Sequence, residues 1–187
     1  MSFGWFKKKE CKPAGPRAPQ STNTAAQGSA SKTIKISRLL RDDLIVGAPA
    51  GVGKEQLIEF LVKRLCESFS VHEFEPYLTK VLEREQGIST TLDTGLAVPH
   101  ARMDGLDRIA VILGLVPEGM PDPKQPDLVI RAMFLFFSPN RQEAFTQHLH
   151  LLRGVSSLFQ PEFIDEVLRD PSGPAVMRLI QGKESAD

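Results

Sequence analysis

The amino-acid sequence predicts one layered α/β domain. Two apolar runs, residues 109–116 and 128–137, are nearly uninterrupted, which is typical of strands buried on both faces of a sheet. Amphipathic helical patterns lie before, between and after the predicted strands, and this order favours helices layered on a sheet. The chain has 187 residues, 41% of them hydrophobic and 25% charged, which suits one ordinary globular domain with a tail.

The first half of the domain contains two helices and two short strands. Apolar residues in both helical segments recur at intervals of three and four residues, so that they form one stripe. Glycine or proline ends each strand. We predict, in order, a strand at 44–47, helices at 54–69 and 74–85, and a strand at 96–98 that Pro99 stops.

The second half contains the two buried strands and three further helices. Four prolines between these strands predict a loop at 117–127, because proline lacks the N–H that a central strand needs. A Ser-Pro-Asn segment at 138–140 precedes a long amphipathic helix, and Pro161 suits the first turn of the next. We predict helices at 141–159, from 161 onward, and at 174–180.

Residues 1–32 differ from the remainder in charge and composition. They carry six positive charges and one negative, although the whole chain, with 23 of each, has no net charge. Small and polar residues dominate 12–32 and leave little to bury, so we predict a disordered basic tail at 1–32. The aromatic cluster at 3–6 is a candidate contact with a membrane surface, although a solvated tail is the favoured interpretation. The folded domain is predicted at 33–183, with a C-terminal tail at 184–187.

The composition argues against several functional classes. A net charge of zero disfavours a general nucleic-acid-binding protein, and no apolar run is long enough for an integral membrane segment. Two cysteines, Cys11 and Cys66, do not make a disulfide framework, which favours a cytoplasmic location. His148 and His150 point to different faces of one helix and do not complete a zinc site, so we expect neither a metal nor another cofactor.

The Gly-Val-Gly-Lys segment at 51–54 resembles part of a phosphate-binding P-loop. A P-loop needs another glycine, separated by four residues from the Gly-Lys pair, and a hydroxyl after the lysine. Ala48 and Glu55 stand at those two positions. We therefore predict a turn and a helix start here rather than a nucleotide site.

Two histidines are candidate functional residues. His100 follows a short strand, and Pro99 restricts its own backbone and that of Val98, so a stiff segment presents the imidazole at a strand end. A neutral imidazole offers a ring nitrogen as a nucleophile. His148 falls on or near the apolar stripe of its predicted helix. From these patterns alone, a surface histidine at 100 and a core histidine at 148 remain open alternatives.

Three blocks of sequence form a specific combination. They are Val-Leu-Glu-Arg-Glu at 81–85, Ser-Thr at 89–90 followed by Gly-Leu-Ala-Val-Pro-His at 95–100, and Gln-His-Leu-His-Leu-Leu at 147–152. This combination resembles the enzyme IIA domains of the bacterial phosphoenolpyruvate-dependent phosphotransferase system, of the fructose, mannitol and nitrogen-regulatory type. The resemblance covers residues 34–182, nearly all of the predicted domain.

The resemblance implies a phosphocarrier, which is a phosphotransferase component. It implies that His100 accepts a phosphoryl group from the histidine-containing phosphocarrier protein and passes it to an enzyme IIB domain. Arg84 matches the arginine that helps to hold this group, and His148 matches the second active-site histidine. These residue types suit phosphoryl transfer, in which the protein mainly positions groups and neutralises charge. The implied fold is a mixed sheet of about five strands with helices on both faces.

A role in sugar uptake has two alternatives. In a nitrogen-type regulatory protein, the phosphorylation state of His100 would change which target protein is bound, without sugar transport. In the third hypothesis the domain is a binding module that does not accept phosphate. Gly95 is the one glycine left, at 91–95, of a glycine-rich turn common in the family, and this change motivates the third hypothesis.

Overall fold

The computed structural model describes residues 34–186 of the chain. Within this range the chain forms five strands and five α-helices. They are, in order, β1 (Ile45–Gly47), α1 (Lys54–Ser68), α2 (Glu75–Gln86), β2 (Leu96–Ala97), β3 (His100–Met103), β4 (Ala110–Asp122), β5 (Gln125–Pro139), α3 (Gln142–Leu158), α4 (Pro161–Arg169) and α5 (Gly173–Ala186). Over the described residues, none of these helices combines the length and the apolar character that crossing a membrane requires.

β4 and β5 form the antiparallel centre of a mixed sheet with the strand order β1-β4-β5-β2. β1 runs parallel to β4, and both β2 and β3 run parallel to β5. β2 and β3 follow one another along the same neighbour, since Leu96 pairs with Ala132 and His100 pairs with Phe136. The predicted α/β class with a mixed sheet of five strands is confirmed.

The core lies between the central hairpin and the helices. Residues 110–116 of β4 and 132–137 of β5 are buried, and burying one large apolar side chain stabilises a fold by about 1.5–3 kcal/mol. α1 lies against β4, where a Cβ atom added at Gly114 would come within 3.0 Å of the Leu61 side chain. The absence of a side chain at position 114 therefore lets α1 approach the sheet closely.

The prediction of a loop at 117–127 is wrong. β4 continues to Asp122 and β5 begins at Gln125, so that most of this segment belongs to a long hairpin. The pairing is irregular there, with register shifts between Leu115 and Met120 and again after Pro121. Proline is compatible with a strand where bulges interrupt the ladder, because fewer N–H groups are required there. Proline content alone therefore does not distinguish a loop from an irregular hairpin.

The two ends of the described chain meet. The Glu184 carboxylate accepts hydrogen bonds from the backbone N–H of Ile36 and Ser37, the latter at 3.2 Å. α5 extends to Ala186, so residues 184–186 are helical, unlike the C-terminal tail that we predicted. The predicted basic tail, with its aromatic cluster, lies outside the described residues.

Candidate functional site

His100 is the first residue of β3. The chain between β2 and β3 is the Val98-Pro99 pair, so His100 opens a second strand rather than following the end of one. Its Nδ1 atom is 2.8 Å from the carbonyl oxygen of Val98. A carbonyl oxygen can accept but not donate, so Nδ1 carries the hydrogen and Nε2 keeps its lone pair. The stiff segment therefore selects the nitrogen that is available as a nucleophile.

His148 of α3 faces His100 across a short gap. The centroids of the two rings are 5.2 Å apart, at an interplanar angle of 62°. The Phe136 ring of β5 lies 5.3 Å from the His100 ring and 5.2 Å from the His148 ring. Two of the three residues singled out from the sequence are thus in contact, and we call them the histidine pair.

Both rings of the histidine pair are neutral at pH 7. Burial, with smaller contributions from the neighbouring His100 and Arg102, lowers the pKa of His148 to about 4. Burial also lowers the pKa of His100, although its hydrogen bond to the Val98 carbonyl opposes this effect. The positive charge of Arg84 adds to the lowering. A neutral His100 has the lone pair that nucleophilic attack requires.

Arg84 lies in the last turn of α2 and is exposed. Its guanidinium donates a hydrogen bond to the carbonyl oxygen of Ile88 at 3.0 Å. Within residues 34–186 it makes no hydrogen bond to either ring of the histidine pair, but its charge acts on the pKa of His100. The structure therefore brings the third predicted residue within electrostatic reach of His100 and leaves its guanidinium accessible.

Two further side chains next to the histidine pair were not predicted. Arg102 stands two residues after His100 on β3, and alternation along a strand places both on one face. Its guanidinium lies over the Phe145 ring, 5.2 Å from the centroid, and donates to the carbonyl oxygen of Arg141 at 2.8 Å. Two-residue periodicity would have identified Arg102, had β3 been predicted. Ser138, whose Oγ is 2.7 Å from Nδ1 of His148, had no such local signal.

A group of buried polar side chains lies between the C-terminal end of α2 and the hairpin tip, and we call it the charged cluster. Lys54 Nζ is 2.8 Å from a carboxylate oxygen of Glu85 and 2.8 Å from one of Asp122. It also donates to Ser89 Oγ at 3.2 Å and Thr91 Oγ1 at 3.1 Å. The lysine of the P-loop-like segment is thus fully engaged with protein groups, at the first residue of α1 as predicted.

The charged cluster holds Asp122 ionised. Burial alone would raise the pKa of the Asp122 carboxyl, but hydrogen bonds from Lys54 and Thr91 bring it well below its ordinary range. Asp122 is 0% exposed, and its other oxygen accepts the backbone N–H of Lys124 at 2.8 Å. The cluster therefore ties the start of α1 and the end of α2 to the tip of the hairpin.

The turn that leads to β2 depends on Gly95. Its φ is +85°, in the left-handed region, and a Cβ atom there would come within 3.1 Å of the Val129 carbonyl oxygen. The Gly95 carbonyl oxygen accepts the N–H of Arg131 at 2.8 Å. The single glycine retained in the altered turn occupies the position where a side chain would strain the backbone.

Among the described residues, no three His, Cys, Asp or Glu side chains are grouped as a metal site would require. Cys66 of α1 is buried, and burial raises the pKa of its thiol to about 11. The chemistry available at the histidine pair is that of neutral imidazoles beside two guanidinium groups.

The fold and this site define a class of α/β domains with paired histidines, and a family model identifies it. Residues 38–183 match the family described as "Phosphoenolpyruvate-dependent sugar phosphotransferase system, EIIA 2". The match covers most of the chain, so the chain belongs to this family. The family is a phosphotransferase component, and family and fold together support a phosphocarrier role in that system.

Curated relatives carry sugar-specific names. A "PTS system fructose-specific EIIA component" of Haloferax volcanii is 27% identical over 68% of this chain and 82% of its own length. A "PTS system mannitol-specific EIICBA component" of Vibrio cholerae is 23% identical over 81% of this chain. This chain spans 23% of the length of that larger relative.

Solved structures share the fold. The nitrogen regulatory protein IIA-Ntr of Neisseria meningitidis has a TM-score of 0.66 and 21% identity, covering 78% of this chain and 98% of its own. IIA mannitol of Escherichia coli has a TM-score of 0.60 and 22% identity, covering 73% of this chain and 96% of its own. At these identities the likeness establishes the architecture alone.

Proposed function

We propose that this protein is a phosphocarrier in which Nε2 of His100 accepts a phosphoryl group from the histidine-containing phosphocarrier protein and passes it to a IIB domain. The observation that carries the proposal is the histidine pair. His100 is neutral, its Nδ1 hydrogen is committed to the Val98 carbonyl at 2.8 Å, and its Nε2 has no hydrogen-bond partner in the described part of the chain. This arrangement prepares one lone pair for attack.

The proposed transfer follows from the groups at the site. The Nε2 lone pair of His100 attacks phosphorus as the bond between phosphorus and the donor histidine breaks, and the donor nitrogen recovers its electron pair. The transition state is loose, so the protein contributes mainly position and charge. Arg84 offers planar N–H donors to the equatorial oxygens, and His148 is placed to donate to another oxygen. Transfer to the next protein reverses these steps.

A IIB domain as the recipient is supported by comparison. A solved complex pairs enzyme IIA mannitol of Escherichia coli with phosphorylated enzyme IIB mannitol. The IIA chain of that complex matches this chain with a TM-score of 0.59 and 19% identity, over 74% of this chain and 95% of its own. Sugar-specific names among the curated relatives point the same way, so sugar uptake is preferred to a regulatory role.

Reconstituted phosphorylation tests the proposal. The protein is incubated with phosphoenolpyruvate, enzyme I and the phosphocarrier protein, and an acid-labile phosphoryl adduct is measured. We expect His100→Ala to abolish labelling, because the nucleophile is removed. His72→Ala is the matched control, since His72 is exposed and lies between α1 and α2, and it should label like the original chain. Labelling that survives His100→Ala would contradict the assignment.

Discharge separates uptake from regulation. The phosphorylated protein is mixed with a fructose- or mannitol-type IIB domain, and loss of its label is followed. Transfer to IIB supports the sugar-uptake role. A stably labelled protein that fails to discharge to either IIB domain would instead support the regulatory alternative.

A further inference from the structure

A buried serine contacts the second histidine. Ser138 lies near the end of β5 and is 0% exposed, and its Oγ is 2.7 Å from Nδ1 of His148. Its pairing partner on β3 is Arg102, two residues after His100. The serine thus engages one nitrogen of the His148 ring, while the ring itself lies 5.2 Å from that of His100.

The direction of this hydrogen bond follows from counting hydrogens. A hydroxyl carries one hydrogen, and a neutral imidazole carries one hydrogen on either nitrogen. If His148 donated from Nδ1, the buried hydroxyl hydrogen would need another acceptor. Residues 34–186 provide no second hydrogen-bond partner for Ser138 Oγ. A buried donor without an acceptor is strongly disfavoured, so Ser138 donates and Nδ1 of His148 accepts.

We propose that Ser138 is a positioning residue that holds His148 in the tautomer with its hydrogen on Nε2. Phosphoryl oxygens only accept hydrogen bonds, so His148 can support a phosphoryl group only through a nitrogen that carries a hydrogen. Because Nδ1 already accepts from Ser138, Nε2 supplies that N–H. The proposal rests on the function proposed above, since the donor acts on a phosphoryl group at His100.

The tautomer matters because His148 is neutral. Burial lowers its pKa to about 4, so at pH 7 one ring nitrogen carries a hydrogen and the other does not. A doubly protonated ring would donate from both nitrogens without help. Ser138 therefore ensures that Nε2 of the neutral ring carries a hydrogen. Protonation would have the same effect on Nε2, but it would add a positive charge beside Arg102.

Nitrogen NMR of the unphosphorylated protein tests the tautomer without any phosphoryl donor. In protein labelled with ¹⁵N-histidine, long-range proton–nitrogen correlations show which ring nitrogen is protonated. We expect the hydrogen of His148 on Nε2 in the original chain, and a mixture of tautomers in Ser138→Ala. A hydrogen on Nδ1 in the original chain would overturn the proposal.

Transfer kinetics test the consequence. We expect Ser138→Ala to slow phosphorylation of His100 about tenfold, the effect of losing one hydrogen bond at a reacting group. Ser138→Thr and Ser138→Val form a matched pair, because they fill the same volume and differ in the hydroxyl. Thr should be about tenfold faster than Val. Ser156→Ala is the control and should transfer at the original rate, because the Ser156 hydroxyl donates to the Leu152 carbonyl within α3.

A double-mutant cycle separates positioning from a general structural role. In a His148→Ala background, Ser138→Ala should have no further effect, because the side chain through which the serine acts is gone. An equal loss in both backgrounds would overturn the positioning role. If the original chain is not phosphorylated at all but holds the Nε2 hydrogen, the proposed function fails and the tautomer assignment stands.

Discussion

The charged cluster is buried and the histidine pair is partly buried, and the polar side chains of the two groups are bonded in opposite ways. In the charged cluster, Lys54 has carboxylate partners at 2.8 Å on two sides, and three hydroxyl groups complete the contacts to it and its partners. In the histidine pair, each ring bonds the protein through Nδ1, and no bond to Nε2 is formed within the described chain. The polar atoms of the charged cluster are thus bonded to protein groups, whereas one nitrogen of each histidine ring is not.

The difference follows from charge. A buried ion without a partner is strongly destabilising, so the charged cluster must satisfy every group to exist at all. A neutral imidazole loses far less on burial, so an unengaged nitrogen is tolerated. We infer that the charged cluster stabilises the fold around α2, whereas the histidine pair serves the proposed phosphoryl transfer. Variants in the two groups should therefore affect stability and transfer separately.

Breaking the charged cluster should give the largest effect on stability. We expect Lys54→Met to lower the free energy of unfolding by about 3–5 kcal/mol, because two buried carboxylates lose their counter-ion. Urea unfolding measures this loss. Lys63→Met is the control, since Lys63 is 43% exposed and pairs with Glu59 on the surface of α1, and it should cost about 0–1 kcal/mol. Equal losses of unfolding free energy in the two variants would contradict the proposed role of the charged cluster in stability.

Removing the exposed guanidinium should affect transfer but not stability. We expect Arg84→Ala to slow phosphorylation of His100 by about 10²–10³-fold, the range for loss of one charge-stabilising donor. Its free energy of unfolding should stay within about 0.5 kcal/mol of the original value, as for other exposed positions. Arg64→Ala, an exposed arginine on α1, is the control. An unchanged transfer rate would remove Arg84 from the site.

The stability of the protein should depend on pH, because His148 is buried as a neutral ring. His148 has a lowered pKa in the fold, so the unfolded chain binds more protons between about pH 6.5 and pH 4. Stability should therefore fall by about 3 kcal/mol as the pH decreases through this window, and the loss is complete below it. Chemical denaturation at several pH values measures the slope.

The control for this pH dependence is His148→Gln. Glutamine can still accept from Ser138 but does not titrate, so the variant should lose a smaller amount of stability over the same pH range. Ionisation of carboxylates contributes equally to both proteins and cancels in the difference. Identical slopes would mean that His148 is not buried as a neutral ring.

Local pattern predicted much of the fold and part of the site. The helices at 54–69 and 74–85 were recognisable because their apolar stripes are regular, and they correspond to α1 and α2. The sequence does not indicate the strand after Pro99, because a proline can end an edge strand or join two short ones, and the local pattern is the same in both cases. The sequence does not indicate the hairpin at 117–127 either, because the bulges that make prolines acceptable in its strands leave no sequence signal.

The sequence by itself determined the paired apolar strands, the amphipathic helices and the stiff Val-Pro-His presentation of His100, since each depends on neighbours along the chain. The tertiary structure decided which distant groups meet. Lys54 and Asp122 are 68 residues apart, and Ser138 reaches His148 only because α3 folds back beside the end of β5. Such contacts depend on how helices pack against the sheet, and packing is a collective property that a local pattern does not encode.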